Sequence, residues 1–209
     1  MTNSAMIIVD SHGLAPAIEA LRRGEVVALP TDTVYGVAVL ATVAGAADKV
    51  FAAKDRPRDV TLPVLVANID QALSIADEVS QVERKLMQTF WPGALTIVLR
   101  RAPSFTADLG DETETIGVRC PASEVVRELA AIVGPLAVTS ANLHKQPPCQ
   151  TVSQVVDTFT GRIAVVVDGG DCTGQPSTVA RVANSNGEPQ LQILRQGSIT
   201  QPQLRAAFT

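Results

Sequence analysis

Pro30-Thr31-Asp32-Thr33-Val34-Tyr35-Gly36 follows the apolar run Val26-Val27-Ala28-Leu29 and precedes a second one, Val37-Ala38-Val39-Leu40. Two strand-like segments therefore flank seven residues that hold two threonine hydroxyls, a carboxylate, a phenol, one proline and one glycine. Turn residues between strands are ordinary. A simple hairpin tip needs only Gly, Asn or Asp and has no use for so many hydroxyls. The stretch reads as the lip of a small-molecule site, because open α/β sheets bind ligands at polar strand ends.

Composition agrees with a sheet covered by helices. The 209 residues are 46% hydrophobic but only 3% aromatic, so the core must be mostly Val, Ala, Leu and Ile. That mixture suits strands sandwiched between helices better than an aromatic-rich barrel. The length suits one domain over residues 1–209. A formal charge of -4 argues against a broad basic surface for phosphate backbones, although a local basic groove is compatible with it. Cys120, Cys149 and Cys172 are odd in number and lack CxxC spacing, and only His12 and His144 are available. Neither a disulfide framework nor a metal-ligand cluster is indicated. Met1 to Asp10 lacks the pattern of a signal peptide, and no run approaches the ~20 apolar residues of a membrane span. The expectation is a soluble, cytoplasmic protein with no membrane partner.

Along the chain, Ile7-Ile8-Val9 reads as a strand, and Gly13 to Arg23 shows a helical period closed by Gly24. Ala44 to Lys54 is a second helix with Ala47, Val50 and Phe51 inward. It leads into Lys54-Asp55-Arg56-Pro57-Arg58-Asp59, where Pro57 disfavours helix at Arg56, so the cations should leave the helix and stand in a loop. Further strands are expected at 63–67, 95–99, 115–119, 136–138, 163–167, 177–182 and 191–194. Helices are expected at 70–75, 82–90, 123–133, 154–159 and 201–208, the first two as a pair that ends at Trp91-Pro92-Gly93. Ser123 caps its helix and Gly134-Pro135 stops it. The segment from Arg101 to Glu114 mixes proline, glycine and carboxylates without a period, and is expected to be a mobile cover of the site. The turn Asn184-Ser185-Asn186-Gly187 is the one other marked break. Several strands follow each other directly, which predicts a mixed sheet.

Four polar clusters share a placement at the end of a strand or helix: Thr31 to Tyr35, Lys54 to Arg58, Thr115 with Arg119, and Thr139 to Asn142. Each alone has an ordinary reading as a solvated charge run, a surface ion pair or a capped turn. Together they supply cations for phosphates or a carboxylate, and neutral donors and acceptors for an amino acid or nucleobase. Neither GxxxxGK[ST] nor GxGxxG is present, so a nucleotide would not use the common phosphate loops. Two histidines give no convincing Ser-His-Asp or Cys-His order, which disfavours hydrolytic nucleophilic catalysis.

Taken in order, several motifs resemble the YrdC/Sua5 family. They are Pro30 to Gly36, Lys54-x-Arg56-Pro57, Trp91-Pro92-Gly93-x-Leu95-Thr96, Gly117-Val118-Arg119-x-Pro121, Thr139-Ser140-Ala141-Asn142, Pro176-Ser177-Thr178-Val179 and Leu194-Arg195-x-Gly197. They span about Val26 to Gly197, as in the short bacterial form. The resemblance implies an open, twisted, mixed α/β sheet with flanking helices and a concave active-site face. It implies a nucleotidyltransferase that converts L-threonine, bicarbonate and ATP into threonylcarbamoyl-AMP and pyrophosphate, for t6A modification of tRNA. Lys54, Arg56, Ser140 and Asn142 would then be catalytic. Thr33 and Arg119, with Thr31 and Tyr35, would hold threonine. Lys54, Arg56, Arg58, Thr115, Ser140, Asn142, Thr178 and Arg195 would lie on ATP, with Mg2+ carried by ATP and no metal ligands of the protein's own. tRNA and downstream t6A-transfer proteins are the implied partners. The sequence departs from the family at His144-Lys145, where Ser-Gly is common, and at Cys120 and Arg181, where Val and Asp are.

The chemistry suits these residues on its own terms. Carbamate formation is largely positioning of an amine beside bicarbonate. Attack on the α-phosphorus then develops charge that Lys54, Arg56 and Mg2+ can stabilise. Two rivals stand beside this reading. One is a non-catalytic module binding double-stranded RNA or tRNA, against which the scarcity of stacking aromatics and the negative charge count. The other is a relative making a different carbamoyl or acyl adenylate.

Overall fold

The computed structural model describes residues 6–112, 114–185 and 188–208. In chain order its elements are β1 (Ile7–Asp10), α1 (Ala15–Arg22), β2 (Val27–Leu29), β3 (Gly36–Leu40), α2 (Ala46–Ala53), β4 (Val64–Leu65), α3 (Ile69–Ile75), α4 (Gln81–Phe90) and β5 (Leu95–Arg100). There follow β6 (Thr115–Arg119), α5 (Glu124–Val133), β7 (Leu136–Ser140), α6 (Val152–Phe159), β8 (Val165–Asp168), β9 (Thr178–Ser185), β10 (Glu188–Arg195) and α7 (Gln201–Phe208).

One sheet joins the strands in the order β1-β8-β2-β3-β7-β4-β6-β5-β9-β10. It is mixed, as expected from strands that follow each other without a helix. The pairs β1/β8, β2/β8, β4/β6 and β5/β9 are parallel, and β2/β3, β3/β7, β4/β7, β5/β6 and β9/β10 are antiparallel. Because side chains alternate across a strand, each central strand feeds two cores. Val27, Leu29, Ala38, Leu40, Val165 and Val167 face α1 and α5. Ala28, Val37, Val39 and Val166 face the cluster that contains α2, α4 and α6. Both faces being covered explains why these strands read as unbroken apolar runs rather than as alternating ones.

Local chemistry sets most element boundaries. Gly24 closes α1 with φ +65°, a region costly to any residue with a Cβ. Helix α6 starts at Val152, two residues before the predicted Gln154, because Thr151 and Gln154 cap each other reciprocally. Strand β7 runs on through Ser140, which pairs with Gly36. Of the turn predicted at 184–187, Asn186 and Gly187 lie outside the described residues.

The 101–114 segment departs from expectation. It forms no helix or strand over its described residues, yet Phe105, Ala107 and Leu109 are buried in the main core. Leu62 N–H donates to Leu109 O at 2.8 Å, and Arg58 reaches both Asp108 oxygens at 2.6 and 2.7 Å. Alternate apolar residues inside an irregular chain plug it onto the 56–62 turn, a short two-residue alternation obscured in the sequence by the surrounding proline, glycine and carboxylates. Leu109→Ala should therefore cost about 2–5 kcal/mol in urea unfolding. A loss under about 1 kcal/mol would mean that the segment lies free on the surface.

Candidate functional site

The loop between β2 and β3 is organised by its own hydroxyls. Thr31 Oγ1 accepts from the Thr33 and Val34 amides at 3.1 and 3.2 Å, and donates to Val34 O at 2.6 Å. It also lies 2.9 Å from Thr33 Oγ1. The glycine-rich 169–177 segment lies on top. A Cβ at Gly174 would come within 2.6 Å of Asp32 O and 2.8 Å of Thr33 Cα, so only glycine permits this approach. Tyr35 fastens the two segments, its hydroxyl donating to Gly170 O at 2.7 Å. Burial pushes that phenol up to about 12.

Strands β3 and β6 are separated in the sheet by β7 and the two-residue β4. The loop nevertheless meets the end of β6 across the sheet face, through Arg119. This guanidinium is 5% exposed and donates from Nε to Gly93 O at 2.9 Å, from Nη1 to Thr33 Oγ1 at 3.2 Å and from Nη2 to Asp32 Oδ1 at 2.6 Å. Five N–H groups less these three leave one on each terminal nitrogen without a partner among the described residues. Burial is the main influence on its pKa and lowers it, while Asp32 acts against the shift. Thr96, next to β6, shares a 2.9 Å hydrogen bond with Ser177, whose carbonyl and hydroxyl take Arg195 Nη2 at 2.9 and 3.1 Å.

On the other side of the loop, α2 ends in Lys54, and here a sequence expectation is corrected. Lys54 does not stand in solvent past the helix; it is 1% exposed. Its ammonium donates to Ser140 O, to Asn142 O at 2.5 Å and to Asn142 Oδ1 at 3.2 Å, and its carbonyl accepts from His144 N–H at 2.9 Å. All three ammonium donors are thus spent on the turn after β7. Asp55 turns the chain back with φ +51°, and Arg162 holds that turn through Ala53 O at 3.1 Å and Asp55 Oδ2 at 2.9 Å. Arg56 is half-buried, with Nη1 on Thr139 Oγ1 at 3.1 Å and Nη2 on Val60 O at 3.1 Å. Ser140 Oγ donates to Asn142 Oδ1 at 2.5 Å.

Burial pushes the Lys54 ammonium down to about 7, and the neighbouring Arg56 charge adds to the shift. The unfolded chain keeps the proton up to 10.5. Between those values the unfolded state binds more protons than the fold, so stability rises with pH; below the window both states are protonated and the contribution is level. Relative to Lys54→Met, the wild type should gain up to about 1 kcal/mol per unit from about pH 7 to about pH 9. Parallel stability curves for the two proteins would contradict this.

The two halves meet in one cavity of about 70 Å³, walled by Thr31, Thr33, Val34, Leu65, Arg119, Val138, Thr139 and Ser140 among others. Its volume suits a small side chain and is too small for a nucleotide. Two larger cavities lie elsewhere, about 720 Å³ between α1, α2 and β8 and about 930 Å³ along the 101–114 segment. Neither gathers convergent buried polar groups as the small one does, and that convergence is what marks a binding site.

The family model for Sua5, YciO and YrdC proteins, described as "Telomere recombination", matches residues 19–197. The chain belongs to this family. A Mycobacterium tuberculosis protein (strain CDC 1551 / Oshkosh) is 35% identical over 191 residues, 91% of this chain and 86% of its own length. The threonylcarbamoyl-AMP synthase of Bacillus subtilis (strain 168) is 38% identical over 202 residues, covering 93% of this chain but 56% of that protein. The crystal structure of Pyrococcus abyssi Sua5 complexed with L-threonine superposes with a TM-score of 0.88 at 30% identity, over 98% of this chain and 61% of that one. The chain therefore spans little more than half the length of these two longer relatives.

Within this Sua5/YciO/YrdC chain, the predicted site residues divide. Thr31, Thr33, Tyr35, Arg119 and Ser140 line the cavity, and Lys54, Arg56 and Asn142 adjoin it through Ser140 and Thr139. Arg195 reaches its rim through Ser177. Tyr35, wholly buried in that wall, spends its hydroxyl on Gly170 and so braces the loop. Three others are placed differently. Arg58 pairs with Asp48 and Asp108 over the Phe51 ring. Thr178 is buried and bonds Ile199 O at 2.7 Å, closing the 195–199 turn. Thr115 begins β6, at the opposite end from Arg119, and borders the cavity of the 101–114 segment. Asp32 and Thr139, inside the polar clusters read from the sequence, join the site through Arg119 and Arg56, and the structure adds Thr96 and Ser177, which pair with each other 81 positions apart. Among the described residues, no helix is long and apolar enough to cross a membrane.

Proposed function

We propose that this chain is an L-threonylcarbamoyladenylate synthase, a nucleotidyltransferase acting on L-threonine, bicarbonate and ATP. The observation that carries the reading is the Arg119 fork. It is a buried guanidinium with one N–H on each terminal nitrogen that has no partner among the described residues, at a cavity sized for a small side chain. A carboxylate fits such a fork through two parallel hydrogen bonds. Threonine's methyl then meets Val34, Leu65 and Val138, and its hydroxyl meets those of Thr33, Thr139 or Ser140.

With the carboxylate anchored, the ammonium releases a proton to solvent and the resulting neutral amine faces bicarbonate. The nitrogen bonds to the carbon, water departs, and a carbamate forms. A carbamate oxygen attacks the α-phosphorus of ATP, the bond to the bridging oxygen breaks, and pyrophosphate leaves. ATP lies outside the small cavity, beside the turn of Lys54, Arg56, Ser140 and Asn142. Arg56 and Arg195 are the cations placed to reach phosphate, and Mg2+ enters on the phosphates as part of the substrate. Lys54 shapes this turn from behind with its three hydrogen bonds. The product is an activated carbonyl, so the reaction that consumes it is transfer to a nucleophile, which in the family reading is a tRNA adenosine.

Pyrophosphate release from ATP should require both threonine and bicarbonate. Equal release on ATP alone, or with other amino acids in place of threonine, would overturn the assignment, the latter in favour of a related adenylate-forming enzyme. No observation favours a purely RNA-binding role.

A further inference from the structure

Asp32 is the charged residue of the loop that the mechanism above leaves without a task. Its side chain is 18% exposed, and Oδ1 accepts from Arg119 Nη2 at 2.6 Å. No hydrogen bond to Oδ2 is formed by any described residue. The backbone of Asp32 is held by neighbours on both sides, through the Thr31-centred turn and through Gly174, which packs on the Asp32 carbonyl. Arg119 in the cavity wall, and Asp32 paired with it just behind that wall, therefore set two opposite charges side by side: a guanidinium with two N–H groups, and a carboxylate with one oxygen, that have no partner among the described residues.

A free α-amino acid carries the inverse pattern, a carboxylate and an ammonium one carbon apart. We infer that Asp32 is the specificity-determining residue for the amino group, its Oδ2 accepting from the ammonium of an amino acid whose carboxylate lies on Arg119. This deepens the proposed function and rests on its placement of threonine at Arg119. A carboxylate that served only to align Arg119 would need Oδ1 alone. An Oδ2 without a partner among the described residues, on a side chain that is 18% exposed beside Arg119, is what the second task would use. Hydrogen bonds between charged partners are the strong class, so the preference they give should be large.

The test compares L-threonine with (2S,3R)-2,3-dihydroxybutanoate, in which a hydroxyl replaces the ammonium, by calorimetric titration without ATP or bicarbonate. Wild type should bind threonine about 10- to 100-fold more tightly than the hydroxy acid. Asp32→Asn should weaken threonine by a similar factor and leave the hydroxy acid within about threefold, collapsing the ratio of the two Kd values. The ratio is taken within each protein, so a partly unfolded variant does not blur it, and Asp32→Ser provides a second substitution. Equal weakening of both acids would show that Asp32 only props Arg119 and would overturn the inference, as would an unchanged ratio. No preference in the wild type would overturn it without any variant. If wild type bound neither acid, the placement of an amino acid on Arg119 would fail first, and this inference with it.

Discussion

Lys54→Ala should lose adenylate formation and a substantial part of its stability together. Removing the ammonium strips donors from Ser140 O, Asn142 O and Asn142 Oδ1, all around a side chain that is 1% exposed. A buried acceptor left without a partner costs about 1–3 kcal/mol, so the whole change should cost about 3 kcal/mol or more. For a chain of this size that corresponds to a Tm lowered by roughly 6–12 °C. Arg56→Ala provides the contrast. Arg56 is half-buried and bonds one carbonyl and one hydroxyl, so its loss should abolish turnover with a Tm shift of only a few degrees. Thermal melts and pyrophosphate assays on both variants decide the matter. A Lys54→Ala protein as stable as wild type would mean that the lysine faces solvent and phosphate directly.

Arg119→Lys should raise the threonine KM about 10- to 100-fold while moving the ATP KM by no more than about threefold. The loss of a charged hydrogen bond is worth about 1.5–3 kcal/mol. Lysine can keep a contact to Asp32, but it has no rigid planar fork with which to grip a carboxylate. Threonine methyl ester, which lacks the carboxylate, should be a poor substrate for wild type and lose little further in the variant. Two changes to one contact do not sum. Additive losses would place the carboxylate elsewhere, and a variant impaired for ATP alone would move Arg119 to the phosphate site.

Much of the fold could be read from apolar runs and caps. The strand Thr115–Arg119 and the helix Gln201–Phe208 fall where the pattern put them, and Ser123 caps α5 as predicted. Local chemistry determines those features. What the pattern missed depends on contacts across the sheet. Lys54 looks like a solvated cation because a helix ends there, but its partners lie 86 and 88 positions away. Tyr35 looks like a site phenol, but Gly170, 135 positions on, takes its hydroxyl. The irregular 101–114 segment looks loose because proline, glycine and carboxylates surround the short alternation of Phe105, Ala107 and Leu109. Arg119 was legible near Thr33 because it ends a strand. Its tie to Asp32 was not, since it depends on the loop crossing two intervening strands.

The central claim is that threonine's amine takes up bicarbonate and the resulting carbamate is adenylated. The most direct measurement is a reaction with ATP, threonine and ¹³C-labelled bicarbonate, quenched early and analysed by mass spectrometry. The predicted result is an adenylate that contains threonine and is heavier by the label, formed in step with pyrophosphate. An adenylate of threonine's own carboxylate without label, or AMP and pyrophosphate with no threonine adduct, would contradict it.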